Sequence, residues 1–264
     1  MIKLKVFFPF IALALVLSFS AGATAEFSDI TLNQALLEAC SRGGGAEEVK
    51  QVLSKGADPN YRSAEGDAPL TNAIASGAIA SVALLLDRGA DVNTLDKYGD
   101  PAIVFAARAG NVEMARLLVE RGADVNAMSS GECAASPLMW AAYNGDLDLL
   151  KLLRDKGADV NGGNRSNVTA LMSAAKTGRI EAATLLLDSG ANVNAATIRG
   201  WTPLMWASEG GHAELVELLL SRGANLLATD YKGRTTINIA AQKGHKKVKE
   251  ILVKHAAKPD EEKR

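Results

Sequence analysis

Gly200-Trp201-Thr202-Pro203-Leu204-Met205-Trp206-Ala207-Ser208, running on to Gly223-Ala224-Asn225, is the stretch from which the fold is read. Thr202 offers an oxygen to the free N–H groups of a helix start, and Pro203 suits the first helical position, where no donor is needed. Leu204 and Ala207 then share one helical face, and the small Ala lets a neighbouring helix come close. Gly210-Gly211 makes a short connection to a second helix, Ala213 to Ser221, whose apolar stripe is Leu215, Val216, Leu219 and Leu220. Gly223 lies just past its end, where a left-handed residue is commonly required. The polar residues up to the next helix start make a projecting, hairpin-like loop. One such pair cannot bury its own apolar face, so it has to lie against neighbours.

Those neighbours are present. Gly-Ala-Asp/Asn recurs at Gly56, Gly89, Gly122, Gly157, Gly190 and Gly223, at intervals of 33, 33, 35, 33 and 33 residues. A fixed period of this size signals a stack of repeats. Thr-Pro-Leu, then Ala-Ala or Ala-Ser, then Gly-Ala-Asp-Val-Asn resembles the ankyrin repeat. The resemblance implies an all-α solenoid of about seven helix-turn-helix repeats with hairpin-like loops, which binds other proteins through loop tips and inner helices.

The copies differ at their helix starts. Repeat three, Gly99-Asp100-Pro101-Ala102-Ile103, has Asp-Pro one residue early, so Asp100 is expected to cap in a shifted register. Repeat two, Asp67-Ala68-Pro69-Leu70, has a weak cap unless Asp67 takes over. Repeats five (Thr169-Ala170-Leu171) and seven (Thr235-Thr236-Ile237) keep the Thr and lose the Pro, at a cost under ~1 kcal/mol each. In repeat one, Thr31 and Gln34 have capping-box spacing, which predicts a helix beginning near Thr31. Its second helix, with Glu47, Glu48, Lys50 and Gln51, reads as the polar N-terminal cap. Lys246, Lys247, Lys249 and Lys254 around Val248, Ile251 and Leu252 read as the other cap. The repeat domain is therefore expected over 26–258, with a charged tail over 259–264.

Residues 1–25 stand apart from this pattern. Lys3 and Lys5 precede the apolar run Val6 to Phe19, and Ala23-Thr24-Ala25 provides small residues for cleavage, the form of a secretory signal peptide. The run has 14 residues with Pro9 inside it, short of the ~20 a membrane-spanning helix needs. The expected destination is the periplasm or the outside of the cell. Beyond residue 25 stand 27 basic against 30 acidic side chains, a balance without a general pull toward nucleic acid and with no membrane role after cleavage. Cys40 and Cys133 fall three repeats apart, roughly 25–30 Å at ~8–10 Å per stacking step, too far for a disulfide. The expected oligomeric state is a monomer.

Signs of catalysis are missing from the pattern. His212 and His245 follow the inter-helix Gly at equivalent positions and His255 lies in the last helix, with no metal-ligand spacing among them. Gly43-Gly44-Gly45 and Gly162-Gly163 lack the Gly-Lys-Ser/Thr ending of a phosphate loop. The Gly-Ala-Asp carboxylates recur with the period and cap turns. No catalytic residue, cofactor or metal is assigned, and the two glycosylation-type triplets at Asn164 and Asn167 are read as loop residues.

Mapping the resemblance onto this chain implies a partner surface that includes Arg108, Tyr143, Asn144 and Lys176 from the first helices, and Arg199, Trp201, Lys232 and Arg234 from the loops. Basic and aromatic residues dominate it, while Glu113, Asp146, Asp148, Glu181 and Glu217 gather on the second helices, so the inner surface is expected to be positive. An acidic protein partner fits that field; the plain alternative is a set of solvated loop charges. Trp201 is expected to face outward as an anchor. Trp140, Trp206, Met139, Met172 and Met205 are expected to pack between repeats. The loop Ala127 to Ala135, two residues longer than its neighbours, is expected to touch the partner together with Tyr143. The function the resemblance implies is a non-enzymatic protein-interaction scaffold that assists a periplasmic enzyme such as one of oxidative-stress defence; the alternative is a secreted effector or inhibitor that binds a host or competitor protein.

Overall fold

The computed structural model describes residues 21–43, 45–131 and 134–257, with backbone alone for 21–30. Within them the chain forms fourteen helices and no strands, in seven consecutive pairs. These are α1 (Ala21–Ser41) with α2 (Ala46–Ser54), α3 (Pro69–Ala75) with α4 (Ile79–Asp87), and α5 (Ala102–Arg108) with α6 (Val112–Glu120). Then come α7 (Pro137–Asn144) with α8 (Leu147–Asp155), α9 (Ala170–Thr177) with α10 (Ile180–Asp188), α11 (Pro203–Gly210) with α12 (Ala213–Ser221), and α13 (Thr236–Lys243) with α14 (Lys246–Ala256). Most of the expected signal peptide, residues 1–20, lies outside the described residues, as do the tail 259–264 and Cys133.

The helix starts follow local chemistry. Thr202, Thr169 and Ser136 each accept the backbone N–H three residues on, at 3.4, 3.4 and 3.3 Å, and Thr235 forms a full capping box with Asn238. Asp100 does not cap. One residue early places Pro101 at the cap of α5, and the Asp100 carboxylate instead accepts from Ser130 N–H (2.8 Å) and pairs with Arg108 (3.2 Å). Asp67 does not rescue repeat two either; Ala68 caps α3 without a side-chain bond while Asp67 pairs with Lys97 at 3.3 Å. The first helix does not start near Thr31: residues 21–30 before it are already helical, and a capping box marks a start only where the preceding residues leave the helix.

Burial explains the period. The interior Ala of each first helix, such as Ala106, Ala141, Ala174 and Ala207, is buried, and so are Leu215, Val216 and Leu219 on α12. Cys40 takes an interior Ala position; burial first, and the Glu48 charge second, push its thiol up to about 12, so it stays protonated. Met139, Met172 and Met205 are core residues. Glu47, Glu48, Lys50 and Gln51 on α2, and the lysines of α14, face water, as terminal copies require.

Polar side chains fasten one repeat to the next. In each interior copy the Asp or Asn of Gly-Ala-Asp/Asn accepts the N–H two residues on, as Asp159 does from Asn161 at 2.9 Å. The Asn then reaches forward: Asn161 accepts from Asn192 N–H (2.8 Å) and donates to the Gly190 carbonyl (3.0 Å). The same forward bond is made by Asn33, Asn60, Asn93, Asn126 and Asn194. It ends at Leu227, which occupies the next Asn position and is exposed. On the helix side, the rings of His212 and His245 meet the carbonyls of Lys176 (3.2 Å) and Glu209 (2.9 Å) in the preceding repeat. Two loops also close as antiparallel bridges, Leu95 with Pro101 and Thr229 with Thr235.

Candidate protein-binding groove

First helices α7, α9 and α11 and the loops before them enclose a groove of about 420 Å³. Met139, Trp140 and Tyr143 form one wall and Lys176 and Trp206 the other, with Met172 and Ser173 between them; Ala134, Ala135, Asn164, Ser166 and Val168 close the loop end. Tyr143 stands edge-on to Trp140, ring centres 5.9 Å apart. Lys176 Nζ lies 5.2 Å from the Trp206 ring centre, Trp206 lies 4.7 Å from Trp201, and the Arg234 guanidinium lies 5.8 Å from Trp201. Two stacked rings, Trp206 and Trp201, therefore lie between two cations, Lys176 and Arg234, from the groove out to the loops. At the neighbouring tips, Tyr231 sits between Arg199 (6.0 Å) and Lys232 (5.3 Å).

The surface residues expected from the sequence divide accordingly. Tyr143, Lys176, Trp201 and Arg234 meet at or beside this groove, and Arg199 and Lys232 occupy the adjoining tips. Arg108 lies one repeat away, over Phe105 at 5.1 Å and paired with Asp100. Asn144 turns to the preceding repeat, where its amide donates to the Ala107 carbonyl at 3.1 Å. Trp201 is only half exposed, because Trp206 and Arg234 cover part of its ring. The long loop contributes its base, Ala134 and Ala135, to the groove end.

Two expectations are refined. Trp140 and Trp206 do pack against the core, but both are only partly buried and also line the groove, and each buries its indole N–H without an acceptor. The sequence holds the clue, since the same register carries Asn72 in repeat two and Ser173 in repeat five, polar residues that an interior position would exclude. The inner surface is also less uniformly positive than its composition. Lys97, Arg108, Arg234 and Lys243 are paired with Asp67, Asp100, Asp230 and Glu209. Of the five cations expected on the partner surface, Lys176, Arg199 and Lys232 are in no ion pair among the described residues, and Lys176 is the one of them that lines the aromatic groove.

Asp230 organises the tip that bears Tyr231 and Lys232. Its carboxylate accepts from the backbone N–H groups of Lys232 and Arg234 (both 2.9 Å) and from Arg234 Nε (2.8 Å). Burial pushes its pKa up, but the hydrogen bonds from Arg234, the backbone donors and the guanidinium charge outweigh that and hold it below the ordinary carboxylate range. Among the described residues no three His, Cys, Asp or Glu side chains come together as a metal set, and no helix is long and apolar enough to cross a membrane.

A sequence profile of ankyrin repeats matches three consecutive stretches, residues 36–129, 129–197 and 194–263. The chain belongs to the ankyrin-repeat family. The crystal structure of the human ASB11 ankyrin repeat domain is similar to it, with 25% identity and a TM-score of 0.74, over 85% of this chain and 98% of that one. No curated protein matches the chain in sequence. Ankyrin repeats are generally protein-interaction modules and typically not enzymes.

Proposed function

We propose that this ankyrin protein is an exported, non-enzymatic scaffold that holds another protein against repeats four to seven. The observation that carries it is the groove lined by Trp140, Lys176 and Trp206, continued outside it by Trp201 and Arg234, with Arg199 and Lys232 in no ion pair at the adjoining tips. Half-exposed aromatic rings flanked by cations are the usual anchors of protein interfaces. Export rests on the Lys3, Lys5, Val6 to Phe19 and Ala23-Thr24-Ala25 pattern, and it places the partner in the periplasm or outside the cell. Assistance to a periplasmic enzyme, such as one of oxidative-stress defence, is the role this reading favours; it rests on family resemblance.

A pull-down from periplasmic extract tests the scaffold. Wild-type protein recovers a partner that an Arg199→Ala, Trp201→Ala double variant loses. Recovery of the same proteins by both would remove this surface from the interface.

A further inference from the structure

Resting on the scaffold reading, we infer that the segment seated in the repeat four to six groove is an extended, acidic stretch of the partner protein. It carries an apolar side chain next to a carboxylate, the apolar group lying between Trp140 and Trp206 and the carboxylate on Lys176. Charge decides the second half of this assignment. The corresponding position in repeat three, Arg108, is compensated by Asp100, and in repeat six it is Glu209, itself paired with Lys243. Lys176 alone among these groove-side cations meets a ring and no carboxylate. A cation held over an aromatic face keeps most of its charge available, and a carboxylate arriving in a partly desolvated groove gains a charge-assisted bond.

The walls decide the first half. Trp140 and Trp206, over a floor of the buried Met139 and Met172, present apolar surface to a groove whose volume falls within the range of about 300–1,000 Å³ typical of ligand sites. The Ser166 hydroxyl adds a polar group at its loop edge, while the Asn164 amide and the Ser173 hydroxyl are held by Ala134, Ser166, Val168 and Thr169. A polypeptide has alternating polar main chain and side chains to match both. An anionic lipid surface, by contrast, would meet the protruding Tyr231 and Lys232 and leave the groove floor untouched.

All three tryptophans of the chain lie at or beside this groove, so their fluorescence reports its occupancy without a label. Random dodecapeptides displayed on phage are selected on the protein purified from its expression host, and the strongest is synthesised and titrated by tryptophan emission. The selected peptides carry Asp or Glu within two residues of Leu, Phe or Trp. Replacing that acid by its amide, or Lys176 by Met, each weakens binding by about tenfold, and the two changes together cost no more than either alone. Lys151→Met on the outer helix α8 leaves affinity unchanged, and circular dichroism verifies that Lys176→Met is folded. Peptides selected without acids, no selection at all, or indifference to Lys176→Met overturns the assignment. So does an emission shift with phosphatidylglycerol vesicles but not with peptides, which would make the surface a lipid contact. If the peptides fail while the pull-down still yields a partner sensitive to Arg199→Ala, Trp201→Ala, the scaffold stands and only the acidic segment falls.

Discussion

Asp230 shows how much a single side chain does in a loop that has no hydrophobic core of its own. Its two oxygens hold the backbone of Lys232 and Arg234 and aim the Arg234 guanidinium at Trp201. Because its folded pKa lies below the ordinary value near ~3.9, it stabilises the fold above that pH, and the contribution disappears as pH falls through the folded value. Asp230→Asn should therefore have a lower urea midpoint than wild type at pH 7, with the gap closing below pH ~4. A gap that does not narrow at all as pH falls below ~4 would mean that the carboxylate charge is not what holds the loop. Residues of this kind were only half legible. The Asp of each Gly-Ala-Asp was visible as a turn cap, but the partner of Asp100 lies 30 residues on, at Ser130, and no local pattern announces it.

At the scale of elements, the seven pairs were readable because each helix carries its own start, stop and apolar stripe. What the sequence misjudged were helix ends where two local signals compete. Thr31 has the spacing of a capping box, yet the residues before it remain helical, so the box is not a boundary. In repeat three the shift of Asp-Pro by one residue removed the cap outright. These cases yield a paired prediction. Thr202→Ala removes a capping oxygen and lowers stability by about 1 kcal/mol. Ala68→Ser supplies one at the extended cap of α3, where backbone φ and ψ are −129° and 146°, and raises stability by roughly 0.5–1 kcal/mol. Denaturant unfolding followed by circular dichroism measures both, and a destabilising Ala68→Ser would show that the buried site has no room for the hydroxyl.

For the whole molecule, the stack followed from the 33-residue period, whereas the binding surface did not follow from composition. Counting bases on the inner face suggested a uniform field; ion pairs within a copy, as for Arg108 and Arg234, and between copies, as for Lys97 and Lys243, cancel part of it and leave Lys176, Arg199 and Lys232 without a carboxylate partner. That distinction depends on which side chains become neighbours, and the period alone does not give it. The forward-reaching asparagines have a different consequence. Each fastens the loop of the copy after it, and the series runs from Asn33 to Asn194 and stops at Leu227. The molecule thus has an open end, with the final helix pair lacking the rung that every interior pair receives. Thermal opening should start there: in native-state hydrogen exchange, amides of α13 and α14 lose protection before those of α9 to α12. Exchange that is uniform along the stack would mean that core contacts alone set the order in which the copies come apart.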